Sequence, residues 1–211
     1  MNILVDNESW ILPYTKRLVE SLCEKYECSL IRNQNDLTDS DVTFFLGCTK
    51  IVKPENLAKS KFNLVVHESA LPKGKGFAPM AWQIIEGSNR IPICLIQADK
   101  EADSGDIWLE DYIELEGNEL CDEWRDLQGK KTIEICEKFI TNFSSLVPKK
   151  QKGNETFYKR RRPIDSEINL NKSIEEQFNL LRTVNNKDYP AFFIRDGIKY
   201  KLELTKMDED E

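Results

Sequence analysis

His67 is the only histidine in the chain. It directly follows Asn63-Leu64-Val65-Val66, an apolar run that reads as a buried strand. Next comes Leu71-Pro72-Lys73-Gly74-Lys75-Gly76, a glycine-rich loop that leads to a helix start at Pro79. A second apolar run, Ile91 to Ala98, precedes Asp103-Ser104-Gly105-Asp106. An imidazole and a carboxylate delivered by neighbouring strand ends can steady a developing oxyanion and move a proton. The place suits such chemistry, because open α/β sheets bind ligands at the carboxyl ends of their strands and a helix N-terminus favours polar or anionic groups. Each feature alone has a plainer explanation. A lone histidine at a strand end is more often a hydrogen-bonded structural residue, and Asp-Ser-Gly-Asp is ordinary turn composition.

The elements that must position these residues can be read from periodicity. Short apolar runs over 2–5, 28–31, 42–46, 63–66, 91–98 and 107–115 predict strands. Helical spacing appears over 11–26, 54–59, 79–87 and 118–146, the last as one long helix or two. Strands alternating with helices predict an α/β fold over 1–147, a Rossmann-like, mostly parallel sheet flanked by helices. Residues 148–156 read as a polar linker and 157–206 as a small α+β unit. That unit has a helix over 173–184, opened by a Ser173/Glu176 capping box, and a hairpin turning at Asp196-Gly197. The acidic tail 207–211 is expected to be solvated.

The chain has 211 residues, 30 basic and 37 acidic, for a net charge of -7. An acidic chain is disfavoured as a nucleic-acid or anionic-membrane binder. The imbalance is uneven: residues 1–148 hold 16 basic and 25 acidic side chains, and the remainder holds 14 and 12. The basic excess includes Lys159-Arg160-Arg161-Arg162, which is equally compatible with a phosphate contact and with a solvated face. Trp10, Pro13 and Tyr14 could line a site mouth or pack the first helix. No apolar run approaches the roughly 20 residues of a membrane span. The start Met1-Asn2-Ile3-Leu4-Val5-Asp6 lacks the basic region of a secretory leader. Six cysteines (23, 28, 48, 94, 121 and 136) form no Cys-x-x-Cys pair, so neither a zinc site nor a disulfide framework is expected. These features predict a cytoplasmic protein with no metal.

Taken together, His67-Glu68-Ser69-Ala70-Leu71-Pro72, the Lys73-Gly74-Lys75-Gly76 loop, Phe77-Ala78-Pro79-Met80-Ala81-Trp82 and Asp103-Ser104-Gly105-Asp106-Ile107 resemble the formyltetrahydrofolate-dependent formyltransferases. The stretch from Phe157 to Ile168, the helix with Asn179-Leu180-Leu181-Arg182, and the hairpin resemble the segment following the catalytic domain in enzymes that formylate nucleotide-linked amino sugars. Methionyl-tRNA formyltransferases share a weaker version and continue into a longer domain. The hairpin ending and the acidic charge argue against a tRNA substrate.

The resemblance implies transfer of a formyl group from formyltetrahydrofolate to the primary amine of an amino sugar, with His67 and Asp103 catalytic. In that scheme neutral His67 donates to the carbonyl oxygen, and Asp103 orients His67 and shuttles protons. The donor is expected against Leu46, Gly47, Cys48, Ala98, Asp99 and Asp103. The acceptor is expected against Lys73, Gly74, Lys75, Gly76, Arg160 and Arg161. A homodimer is implied. The family places an Asn two residues before the histidine as an oxyanion donor; here Val65 stands there. Ser69, a backbone N–H of the 72–76 loop, or Asn63 is expected to substitute. The remaining readings are a formyltransferase for another small amine and a catalytically weak folate- or nucleotide-sugar-binding relative. Glu68 is expected to face away from His67 as a structural or surface charge.

Overall fold

The computed structural model describes residues 1–207, so most of the expected acidic tail lies outside the described residues. Its elements are β1 (Asn2–Leu4), α1 (Leu12–Cys23), β2 (Ser29–Ile31), β3 (Ser40–Phe45), α2 (Pro54–Leu57), β4 (Ser60–His67), β5 (Lys75–Gly76), α3 (Pro79–Ile85), β6 (Arg90–Gln97), β7 (Ile107–Glu114), α4 (Cys121–Asn142), β8 (Phe157–Tyr158), α5 (Ile174–Leu181), β9 (Ala191–Arg195) and β10 (Ile198–Leu202).

Six strands form the central sheet in the order β2-β1-β3-β4-β6-β7. The pairs β1–β2, β1–β3 and β3–β4 are parallel, whereas β6 is antiparallel to both β4 and β7. Five strands therefore point one way and β6 alone opposes them. The alternation of strands and helices misses this reversal: α3 lies between β4 and β6, yet those strands run antiparallel, and the loop 98–106 alone then returns β7 antiparallel to β6. Helices α1 and α4 cover one face, where Leu18, Leu22, Ile135, Cys136 and Phe139 pack with Ile3, Phe44 and Leu64. Phe139 meets Phe44, Phe62 and Trp108 edge-on, so truncating it to Ala should cost about 3–5 kcal/mol. Helix α3 packs Met80 and Ile84 against Ile91, Ile93, Ile113 and Trp124.

Residues 148–156 do not hang free. Lys149 and Ile107 exchange two backbone hydrogen bonds of 2.8 Å, and β5 pairs with β8. A linker signature in composition reports only that side chains are polar, and here the backbone does the bonding. In the C-terminal unit the Ser173/Glu176 capping box opens α5. Asp196 and Gly197 both have positive φ at the hairpin turn (53° and 77°), as a type I′ turn requires. Arg182 fastens this unit to the sheet. Its side chain is fully buried, its guanidinium donates to Asn89 Oδ1 at 2.6 Å and to Glu119 Oε2 at 3.4 Å, and its carbonyl accepts from the Trp124 indole at 3.1 Å. No described helix is long and apolar enough to cross a membrane.

Candidate active site

Strand β4 ends on His67, two residues beyond its last pairing with β3, so the imidazole emerges where the sheet opens. The residue is 5% exposed. The loop after it turns back, and His67 Nε2 lies 2.9 Å from the Gly74 carbonyl oxygen. Gly76, at φ 98°, then directs its N–H to Asp103 Oδ2 at 2.9 Å. The other carboxylate oxygen of Asp103 stands 3.5 Å from His67 Nδ1. One backbone amide thus aims the acid at the imidazole.

Asp103 itself adopts φ 54°, a left-handed conformation that aspartate tolerates better than most side chains. Gln151 secures it, its side-chain amide donating to the carbonyls of Asp103 and Gly105 at 2.9 Å each. Gly105 is required: a Cβ there would collide with the Gln97 carbonyl oxygen.

The corner opens on a cleft of about 460 Å³. Leu46, Gly47, Cys48, Ala98 and Asp99 line it together with His67, Asp103 and Gly76. Asp6 shapes the 47–50 wall by accepting from the backbone N–H groups of Thr49 and Lys50, both at 2.9 Å. Burial alone would raise the Asp6 pKa, but the Asn7, Thr49 and Lys50 donors outweigh it and hold the carboxyl below its ordinary value. Burial pushes the Cys48 thiol up to about 12, so it stays neutral, donating to the Leu4 carbonyl.

The remaining expected site residues lie outside the cleft lining. The Lys75 ammonium is buried and pairs with Glu155. Lys73 is exposed, and Gly74 gives its N–H to Thr156 Oγ1. Arg161 donates to the Thr183 carbonyl and hydroxyl at 3.2 and 3.1 Å, while exposed Arg160 stacks over Phe77. Asn63 spends its amide on the carbonyls of Leu57 and Ser60, and Ser69 is buried with no partner for its hydroxyl. The loop's backbone donors are also taken: Lys73 by Ala70, Gly74 and Lys75 by Thr156, and Gly76 by Asp103. Pro72 has none.

Val65 does line the cleft. Of the groups expected to replace the family Asn, Asn63 and the loop N–H groups are already bonded, and the unpartnered Ser69 hydroxyl lies outside the cleft lining. Neither ring nitrogen of His67 is free either, because Gly74 and Asp103 flank them both.

Several lining residues carried no sequence signal. Glu68 lines the same cleft as His67 instead of facing away. The strand ends at His67, and the two-residue alternation ends with it. Gln128 and Arg125 sit among charged neighbours on α4, where nothing in the sequence sets them apart. The Arg125 guanidinium is held between the rings of Trp10 and Trp124, at 4.7 and 4.8 Å from their centroids. Trp10 serves both roles open to it, packing on the core and lining the cleft.

Fold and corner define a Rossmann-like α/β protein with a His–Asp pair at the mouth of a ligand-sized cleft. The chain matches the Formyl transferase family over residues 24–128. Methionyl-tRNA formyltransferase of Clostridium beijerinckii is 30% identical over 196 residues, which are 88% of this chain and 61% of that relative. The chain thus spans less than two thirds of that relative's length. Among solved structures, methionyl-tRNA formyltransferase from Clostridium thermocellum superposes with TM-score 0.83 at 24% identity, covering all of this chain and 95% of that one. A likely sugar N-formyltransferase, Rv3404c from Mycobacterium tuberculosis, superposes with TM-score 0.76 at 16% identity, covering 99% and 97%. At these identities the two structures speak for the fold.

Proposed function

We propose that this chain transfers a formyl group from formyltetrahydrofolate to the primary amine of a nucleotide-linked amino sugar. The observation that carries the reading is the His67–Asp103 pair, aimed by the Gly76 amide and open to the cleft. The cleft falls within the roughly 300–1,000 Å³ of small-molecule sites. The residues present fit the donor: Leu46, Gly47, Cys48, Ala98 and Asp99 give a largely apolar wall with exposed backbone beside the His–Asp pair. The match to the Formyl transferase family supports the transfer chemistry. The net charge of -7 favours a small acceptor over a nucleic acid.

A carbonyl oxygen only accepts, so the Nε2 beside Gly74 carries a hydrogen. Nδ1 then stands 3.5 Å from the Asp103 carboxylate, and a proton can pass between the two. As the amine forms its C–N bond to the formyl carbon, Asp103 and His67 take up the proton it loses. They return a proton to the folate nitrogen as the old C–N bond breaks.

A homodimer through the β9–β10 hairpin is part of the proposal, with Ile194, Ile198 and Tyr200 exposed there; sedimentation in solution tests it. A reducing cytoplasm suits the six free thiols.

One observation favours a second reading, a weak or non-catalytic binder: Val65 replaces the family Asn, and the loop's N–H groups are already bonded. Single-turnover assays with formyltetrahydrofolate and a panel of amino-sugar nucleotides and other small amines separate the two. Formyl transfer that disappears in His67→Ala supports the first reading, while binding of both ligands with no transfer supports the second.

A further inference from the structure

Beside the His–Asp pair the cleft has a second polar corner that the transfer chemistry does not use. Glu68 and Gln128 both line the cleft, one following β4 and the other on α4. The Gln128 amide donates to Glu68 Oε1 at 2.7 Å. The Glu68 backbone is fixed as well, its carbonyl accepting from Gln83 at 2.6 Å. Gln128 is 6% exposed, and its carbonyl oxygen has no hydrogen-bond partner in the chain. A buried amide oxygen left unpaired has lost its water without gaining a partner, so a group that donates to it gains accordingly. Glu68 forms no ion pair among the described residues; the Gln128 amide takes one of its oxygens and leaves Oε2 open.

The corner therefore offers a carboxylate oxygen and an amide oxygen, both acceptors, with the negative charge of Glu68 at the cleft. A hydroxyl brings one hydrogen to such a corner, and an ether or carbonyl brings none. A primary ammonium brings three and cancels the charge.

We propose that Glu68 and Gln128 form the receptor for the acceptor's amino group, selecting a primary amine over its hydroxyl counterpart and holding it beside His67. The assignment rests on the formyl-transfer reading for its purpose, but not for its test. Glu68 supplies the counter-charge, and Gln128 orients the carboxylate with its N–H while receiving a second hydrogen on its oxygen. The bound ammonium must first give one proton to solvent to become a nucleophile, and uptake of the second during transfer stays with His67 and Asp103.

Binding of matched ligand pairs tests this on the full chain with tetrahydrofolate present. The pairs are a nucleoside-diphosphate 4-amino sugar and its 4-hydroxyl twin, glucosamine and glucose, and ethylammonium and ethanol. The wild-type protein should prefer at least one amine by about 10- to 100-fold, the range of a charge-assisted hydrogen bond. Glu68→Gln keeps the shape and should reduce that preference to within about 2-fold, with tetrahydrofolate affinity unchanged. Gln128→Leu should reduce it about 3- to 10-fold, and it serves as the test if Glu68→Gln does not fold. A purely structural role for Glu68 would weaken amine and hydroxyl ligands alike.

A preference that survives Glu68→Gln, or no amine preference in the wild-type protein, overturns the receptor, even if formyl transfer is observed. A preference that Glu68→Gln erases, in a protein that transfers no formyl group, sustains the receptor and overturns the transfer reading alone.

Discussion

Two clusters of charge dominate the chain, and they meet opposite fates. Around the cleft, His67, Glu68 and Asp103 are buried or half-buried and held by backbone or amide groups, and the two carboxylates keep acceptor capacity for a ligand. In the C-terminal unit, Lys159 and Arg161 are spent on the protein. Lys159 pairs with Asp165 and Arg161 donates to Thr183, while Arg162 gives Asp165 only its backbone N–H. Trp82 adds to this inward pull, stacking on Tyr158 and donating to the Lys159 carbonyl. A run of four cations is the more conspicuous sequence feature, yet the isolated histidine commands the cleft. What separates them is whether the partner of each charge belongs to the chain or has to come from outside.

The largest test of that contrast is His67→Ala. Formyl transfer should fall on the order of 10³-fold, the usual worth of a positioned proton-transfer group. Stability should fall by about 1–3 kcal/mol, because loss of the buried ring leaves the Gly74 carbonyl without its donor, while the variant still folds. Near-normal single-turnover rates in this variant would remove the corner from the chemistry altogether. Val65→Asn tests the same corner from the other side. Val65 lines the cleft with no donor, and one oxyanion donor is commonly worth on the order of 100-fold in rate. The variant should therefore speed transfer by about that factor. A rate that stays flat would show that some other group already holds the oxyanion.

The basic run should respond in stability alone. Arg161→Met removes donors to two Thr183 oxygens in a half-buried site, along with a guanidinium lying over Trp82. Chemical denaturation should show a loss of about 2 kcal/mol, with the Michaelis constant for the acceptor unchanged. A higher constant for a nucleotide-linked acceptor in a protein of normal stability would return this arginine to phosphate binding and erase the contrast.

How far each cluster could be read in advance follows from the range of the interactions. The sheet strands, Pro13 in the first turn of α1, the capping box of α5 and the Asp196-Gly197 turn are local, set by neighbours within four residues, and the sequence shows them. His67 could be read because a strand end fixes its place. Glu68 could not, since the alternation that would orient it stops one residue earlier. Gln151 grips the Asp103 loop from a stretch whose composition says only that it is polar. For Arg161 the sequence leaves a phosphate contact and a solvated face equally open, because Thr183, to which it donates, lies 22 residues away. Hydrogen bonds over such separations depend on packing that no short window of sequence contains.

The smallest expected effect concerns the anchor of the basic run. Burial would raise the Asp165 pKa, but the Lys159 ammonium and the Arg162 N–H outweigh it and hold the carboxyl below its ordinary value of 3.8. A depressed folded pKa means that the native state binds fewer protons than the unfolded chain as the pH falls toward 4. The contribution of Asp165 is therefore complete above that region and drains away below it. It is modest, because Lys159 is largely exposed and such pairs are worth at most about 1 kcal/mol. Denaturation of the wild-type protein and Asp165→Asn should thus differ by a constant amount from pH 7 down to about 5. The two curves should converge as the pH drops below 3.8. If the gap widened on acidification, Asp165 would be a carboxyl raised by burial, and the run from 159 to 162 would be free to face a ligand after all.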